Sequence, residues 1–282
     1  MSIRIGISGW TYPGWRGDFY PPGLVQRREL EYAAKRFGSI EINGSFYALQ
    51  RSTSYVTWRD QTPPDLVFSV KGGRFITHLK KLADVETPLA NFFASGVLAL
   101  GPKLGPILWQ LPPMLRYDEA RLTTFFNLLP RTTHQAVRLA ERHDATIPED
   151  RAWLTTDAKR PVRHALEVRH NSFAGRGVAD LLRSHDIALV VADSAGKWPQ
   201  TEESTSDFVY ARLHGAEQLY VSGYTDEALD RWAARVRSWA AEGHDVYVYF
   251  DNDVKVRAPY DALALMRRLG LTGAGGVPPT DV

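Results

Sequence analysis

The sequence predicts an α/β fold: a single (β/α)8 TIM barrel with irregular loops and extra helices, spanning residues 1–282. Three observations predict it. Short apolar, β-branched stretches recur eight times along the chain, and segments of helical periodicity lie between several of them. The length of 282 residues slightly exceeds the roughly 250 typical of such a barrel. Strand–helix alternation implies parallel pairing, and closing eight parallel strands removes both sheet edges.

In chain order the expected strands are Ile3–Ser8, Ile40–Asn43, Leu66–Lys71, Ile107–Leu111, Ala165–Arg169, Ile187–Asp193, Phe208–His214 and Val246–Asp251. Helices are expected at Arg28–Phe37, Thr53–Gln61, Pro88–Leu98, Glu119–Leu128, Val178–His185 and Asp226–Glu242, with Tyr260–Leu269 after the last strand. Two connections depart from the ideal pattern. Asp193 to Phe208 is too short and too polar for a full helix, whereas Pro112 to His164 is long enough to hold additional structure.

Composition narrows the classes. With 44% hydrophobic and 23% charged residues the chain is globular, which excludes a disordered, collagenous or coiled-coil protein. Lysine and arginine total 34 against 32 acids, so a net charge of +2 gives no whole-molecule attraction to nucleic acid or an anionic membrane. Any anion site must be local. The absence of cysteine removes disulfides, thiolate metal sites and a thiol nucleophile. The N-terminus has no secretory pattern and no window reaches ~18 apolar residues, so a cytoplasmic protein without membrane contact is expected. No linker or repeat divides the chain.

Successive strand residues point to opposite faces, so each stretch can be sorted into two sets. Ile40 and Ile42 oppose Glu41 and Asn43; Leu166 and Val168 oppose Glu167 and Arg169. The same alternation points Ser69 and Lys71, Leu108 and Gln110, Asp193, Tyr210 with Arg212 and His214, and Tyr249 with Asp251 into the barrel. The polar members fall late in their strands, where barrel enzymes bind ligands. A ring of Glu41, Asn43, Lys71, Gln110, Glu167, Arg169, Asp193, Arg212, His214 and Asp251 is therefore the expected site, with Ser8 and Asn252 beside it. The competing reading is a set of ion pairs, such as Glu41 with Lys71 or Glu167 with Arg212. Burying so many ions costs several kcal/mol each unless paired, and apolar replacement is often equally stable, which favours use over mere neutralisation.

The first strand runs into Gly6-Ile-Ser-Gly-Trp-Thr-Tyr-Pro-Gly-Trp-Arg-Gly-Asp-Phe-Tyr-Pro21, a loop rich in glycine and aromatic surface. Together with Glu41-Ile-Asn-Gly-Ser-Phe-Tyr47, Phe68-Ser-Val-Lys71, Leu108-Trp-Gln-Leu-Pro-Pro113, Glu167-Val-Arg169 and Tyr249-Phe-Asp-Asn-Asp253, it resembles the YecE-like family, domain of unknown function seventy-two, over nearly the whole chain. The resemblance implies a TIM barrel with Glu41, Asn43, Lys71, Gln110, Glu167 and Arg169 at its mouth, and it implies no reaction. The chain departs from the family at Asp251-Asn252, where relatives often carry two asparagines.

An anion such as phosphate is the leading ligand class, gripped by Lys71, Arg74, His78, Arg169, Arg212 and His214. Trp10, Trp15, Phe46, Tyr47 and Trp109 are candidates to stack a ring, although Trp109 alternates with Gln110 and suits a helix-facing position. Glu41, Lys71 and Glu167 are the catalytic candidates. Glu41 and Glu167 have the residue types for glycoside hydrolysis, but cations beside both oppose the proton-bearing acid that mechanism needs. A divalent metal on Glu41, Glu167, Asp193 and His214 is disfavoured by the same cations, and no zinc spacing occurs. A Schiff base at Lys71 is opposed by Glu41. Nucleophile-elbow, Walker and dinucleotide motifs are missing. The expectation is thus a metal-independent, cofactor-free enzyme or binder for a phosphorylated or anionic ring-bearing small molecule. Nucleic-acid binding or phosphodiester hydrolysis is the alternative, and a carbohydrate hydrolase the second.

Overall fold

The computed structural model describes residues 1–199 and 203–278. The protein is of the α/β TIM-like barrel class, as the sequence predicts, and each strand pairing described is parallel. Strands are β1 Ile3–Ser8, β2 Ser39–Ile42, β3 Val67–Lys71, β4 Leu104–Gln110, β5 His164–Glu167, β6 Ile187–Leu189, β7 Val191–Asp193, β8 Phe208–Leu213 and β9 Asp245–Phe250. Helices are α1 Glu29–Ala34, α2 Gly44–Tyr47, α3 Ser52–Asp60, α4 Glu86–Ala94, α5 Glu119–Leu128, α6 Thr133–Ala140, α7 Arg176–Ser184, α8 Asp226–Ala241 and α9 Arg257–Leu269. No described helix is long and apolar enough to cross a membrane.

The sixth expected strand is two, because Val190 interrupts it. The Leu189 amide donates to the buried Thr205 Oγ1 at 2.8 Å, a side-chain partner that takes this group out of the strand ladder. Part of the connection that follows, residues 200–202, lies outside the described residues. The long Pro112–His164 stretch holds an unexpected helix, α6. It starts on a capping box in which Thr132 Oγ1 accepts from the Gln135 amide while Gln135 Oε1 accepts from the Thr132 amide.

The fold's contacts divide into two compact units. One comprises Met1–Glu41, Gln61–Val67 and the chain from Ala188 onward; the other comprises Ile42–Asp60 and Phe68–Ile187. In the first unit the strand order is β2-β1-β9-β8-β7. Parallel partners in register project to the same side, and Gly6 is matched with both Ser39 and Tyr249, while Tyr249 is matched with Arg212. Gly6 is required there, since a Cβ would fall 1.9 Å from the Ser39 carbonyl oxygen. Across that bare position the Tyr249 hydroxyl reaches Ser39 Oγ at 2.6 Å. The loop after β1 folds inward on its own aromatics: Trp15, Phe19 and Tyr20 are fully buried, and Trp15 packs 4.6 Å from Tyr12 and edge-on to Phe19. Trp15 is therefore core and cannot serve as a stacking platform, because no face of its ring remains accessible.

In the second unit β5, β4 and β3 are consecutive in the sheet. Register shifts between Phe68–Leu104 and Val70–Ile107, a bulge where Pro106, lacking an amide proton, sits and its carbonyl accepts from Ser69 Oγ at 2.8 Å. Beyond the bulge Lys71 matches Leu108, which matches Ala165, and Gln110 matches Glu167. Trp109 belongs to the opposite face. Its ring meets Phe92 and Phe125, and its Nε1 donates to His164 Nδ1 at 3.1 Å. With Nδ1 accepting, His164 carries its proton on Nε2 and donates to the Pro130 carbonyl at 2.8 Å. Burial lowers its pKa to about 3, so this imidazole stays neutral.

Replacing Gly6 with alanine should cost about 1–3 kcal/mol or more, the range for forcing volume into a packed interior, because the obstructing atom is backbone. Urea denaturation would show it as a lower midpoint at unchanged slope.

Candidate functional site

Each unit carries a polar cluster at strand ends. In the first, Glu41 closes β2's contribution with no exposed surface. It accepts from Ser8 Oγ at 2.9 Å, from the Tyr210 hydroxyl at 2.5 Å, and from Arg212 twice: Nε to Oε2 at 3.1 Å and NH2 to Oε1 at 2.8 Å. The fork is the planar, bidentate match of guanidinium to carboxylate. Arg212, also fully buried, donates a further bond from NH2 to Asp251 Oδ2 at 2.9 Å, and His214 Nδ1 stands 3.0 Å from the same oxygen. The imidazole is fixed edge-to-face against Trp198 and Tyr220. Register accounts for this convergence. Ser8 is matched with Glu41, and the ladder continues past β9 and β8 through the Asp251 amide to Leu213 O and the His214 amide to Asp193 O, each 2.9 Å.

Strand alternation does not reveal Tyr12 and Asp253. The Tyr12 hydroxyl donates to the Ser8 carbonyl. The phenol also contacts the Asp253 carboxyl, and as a donor there it works to lower the Asp253 pKa. Burial first, and the adjacent Asp251 second, outweigh that bond and push the Asp253 pKa well above the usual carboxylate range, which favours its proton-bearing form. Burial likewise keeps the Tyr12 phenol protonated. Asp253 Oδ1 is buried without a protein partner. A carboxylate held by Arg212 beside a proton-bearing one is an arrangement capable of acid/base chemistry. The Tyr-Phe-Asp-Asn-Asp run contains both acids at spacing i, i+2, the one sequence clue to Asp253.

In the second unit Lys71, the last residue of β3, is nearly buried and holds its ammonium 4.4 Å over the Phe46 ring of α2, a cation–π contact. Ser45 Oγ donates to the Lys71 carbonyl at 2.6 Å, tying α2 to the strand end. Tyr47 follows, 71% exposed and edge-on to Phe46. Arg169 Nε and NH2 both contact the buried Glu167 Oε1 at 2.8 Å. Gln110 is buried and in register with Glu167. His78, in a π-helical turn Phe75–Leu79, lies edge-on to Phe46 and bonds Thr77 Oγ1 through Nδ1 at 2.8 Å. Burial first, then Lys71, Arg169 and Arg74, lower its pKa to about 4, with Glu167 opposing. Asn43, the residue before α2, has a buried Oδ1 without a partner.

Several expectations need correction. Asp193 does not join Arg212. It is in register with Leu213, on the opposite face, and lines a cavity of about 350 Å³ with Tyr224, Trp232 and Arg231, because Ala192 is the residue in register with Arg212 and Asp193 shares the face of Val191. Asn252 is fully buried and its amide is committed to Ser222 O at 3.0 Å and Asp261 Oδ2 at 2.8 Å, a loop anchor. Arg212 and His214 are engaged by Glu41 and Asp251, so they do not join the cations around His78 in gripping an anion. Trp10 is half-buried, and its carbonyl accepts from the Tyr20 hydroxyl at 2.5 Å. Among the described residues no three His, Asp or Glu side chains gather as a metal ligand set.

Arg212→Met should cost about 3–5 kcal/mol at pH 7, since it leaves buried carboxylates without their counterion. The cost should shrink on acidification, as protonation removes those charges. Denaturation midpoints at pH 7 and pH 4 check both, and a loss below about 1 kcal/mol at pH 7 would contradict the role given to this pair.

Comparison with known proteins follows the same architecture. The family described as "Protein of unknown function DUF72" matches residues 4–281. UPF0759 protein YecE of Escherichia coli O157:H7 is 31% identical over 232 residues, 71% of this chain and 83% of that protein. UPF0759 protein YunF of Bacillus subtilis is 28% identical over 116 residues, 39% of this chain and 40% of its own length. Among solved structures, a DUF72 family protein from Thermotoga maritima superposes with a TM-score of 0.74 at 24% identity, covering 96% of this chain and all of that one. Another from Enterococcus faecalis gives 0.73 at 16% identity, covering 96% of each. The chain belongs to the DUF72 family.

Proposed function

We propose that this protein binds a small anionic molecule bearing a ring, such as a phosphorylated metabolite, at Lys71, Arg74, His78 and Arg169, without a metal ion. One observation carries the reading: the Lys71 ammonium lies 4.4 Å over the Phe46 ring that meets His78 edge-on, and after burial the charges of Lys71, Arg169 and Arg74 outweigh Glu167 in lowering the His78 pKa, an excess of positive influence at that imidazole. A dianion would offset that excess, with Arg169 offering a planar fork and Lys71 a point charge. The Phe46 and Tyr47 rings supply apolar surface for the ring of such a ligand. Positions at the C-terminal ends of β3 and β5 agree with where barrels of this class bind ligands. The carbohydrate-hydrolase alternative fares worse. Glu41 accepts bonds from Ser8, Tyr210 and Arg212, and Glu167 accepts from Arg169, so neither oxygen set is arranged to hold and deliver a proton.

Isothermal titration with sulfate and with glucose 6-phosphate tests the proposal. Lys71→Met should weaken both at least tenfold, about 1.4 kcal/mol, and an unchanged affinity overturns the assignment. Binding of a single-stranded oligonucleotide with a salt slope of several ions, without sulfate binding, would transfer the function to nucleic acid.

A pH experiment follows from His78. Its ring protons should titrate near pH 4 in the unliganded protein. A bound dianion raises that value by stabilising the imidazolium, so proton and anion binding reinforce each other. Sulfate, whose charge is constant over this range, should bind more tightly as pH falls from 7 to 4, and His78→Gln should remove that dependence.

A further inference from the structure

The π-helical turn that carries His78 also builds the wall of a different cavity. Phe75 and Ile76, with Leu49, Phe92 and Pro88, line a pocket of about 540 Å³, within the ~300–1,000 Å³ range of small-molecule sites. Its apolar wall is unusually open: Phe75 is 50% exposed and Leu49 36%. Single exposed apolar residues are ordinary, but these two face one concavity. The backbone beside it is costly. Lys81, Leu82 and Asp84, none of them glycine, have φ of 51°, 69° and 52°. Such left-handed residues persist where surrounding structure over-determines them, and they gather at ligand sites. The buried Leu82 pins the segment, its amide donating to Ile76 O at 3.0 Å.

The polar side of the pocket is fixed by a buried residue. Asn91 donates from Nδ2 to Asp144 Oδ1 at 3.0 Å and accepts from the Asp144 amide at 3.0 Å, using both ends of its amide group. The Thr146 amide donates to the same Asp144 Oδ1 at 2.9 Å. A bond from the Thr146 side chain first, then those from its amide and from Asn91, lower the Asp144 pKa and favour its ionised form. The two N–H bonds fall on Oδ1, and the exposed carboxylate, which lines the pocket, keeps acceptor capacity for a ligand. The charged groups on the wall are Asp84, Asp144 and Lys80, so acids outnumber bases.

We propose that this pocket is a second binding site, separate from the anion cluster, for a small aromatic ammonium compound: the ring lies against Phe75 and Ile76, and the ammonium pairs with Asp144. The anion cluster has the opposite charge balance, so the two loci discriminate between ligands by sign.

Phenethylamine is the probe, with phenylacetate and butylamine as controls for charge and ring. In an amide-resolved NMR titration phenethylamine should saturably shift Phe75, Ile76 and Thr146. Asp144→Asn preserves an oxygen for Asn91 and should weaken binding at least tenfold, and Phe75→Ala, at an exposed position, should do the same without unfolding the chain. Butylamine should bind at least tenfold more weakly than phenethylamine. Lys71→Met should leave phenethylamine binding unchanged, which separates this site from the anion reading. No saturable phenethylamine binding, equal binding of phenylacetate, equal binding of butylamine, or indifference to both pocket variants overturns the proposal.

Discussion

Arg212 is a guanidinium with no exposed surface, and the first unit is organised around compensating it. Removing such a charge from water costs several kcal/mol, and the cost is offset only when good geometry and additional hydrogen bonds accompany the counterion. Glu41 supplies the bidentate partner, Asp251 a second carboxylate, and Ser8 with Tyr210 complete the bonds to Glu41. These groups come from β1, β2, β8 and the residue following β9, so one residue's electrostatics constrains the ends of four strands. Gly6 makes the arrangement possible from below, because Tyr249 must cross it to reach Ser39. An apolar core could hold the same strands at similar stability. Conformational specificity of the strand ends is the gain that the charges add.

The second unit treats its cations differently. Arg169 shares Glu167, and the Lys71 ammonium also lies over the face of Phe46. The imidazole of His78 registers these cations, since after burial Lys71, Arg169 and Arg74 disfavour its protonation and Glu167 opposes them. A cluster whose charges close on one another, as around Glu41, suits structure and proton transfer; one with a positive surplus suits a diffusible anion. The distinction lies in the hydrogen-bond partners, and residue type alone does not display it.

That distinction marks the boundary of what the sequence discloses. Alternation correctly places Glu41 with Ser8, Arg212 with Tyr249, and Gln110 with Glu167, because parallel partners in register share a face and these strands run unbroken. Asp193 does not join Arg212, because Ala192 is the residue in register with that arginine and Asp193 shares the face of Val191. Alternation cannot tell that Arg212 belongs to Glu41, since pairing across strands depends on which neighbours the sheet brings together. Tyr12, Asp253 and the π-helical turn lie in loops, where no period exists to be read. By contrast α6 left a legible trace in Thr132 and Gln135, a capping box three residues apart.

The Asp251-Asn252-Asp253 run shows how a loop can extend a strand's logic by two residues. The Asp251 amide still pairs with Leu213 O, so Asp251 keeps the phase of Tyr249 and meets Arg212 and His214. Asn252 takes the other side, where Asp261 and Ser222 hold its amide nitrogen. Burial raises the pKa of Asp261 to about 6, so this anchor is mostly ionised at pH 7 and loses its charge just below neutrality. With Asn252 pinned, the following 3-10 turn, closed by Val256 at φ 55°, returns Asp253 to Tyr12 and the neighbourhood of Asp251. Two carboxyls so placed cannot both ionise cheaply. Arg212 favours the charge on Asp251, and burial beside that charge favours the acid form at Asp253. The inequality of the pair thus follows from Asn252's side of the backbone being anchored while its neighbours face the charged interior.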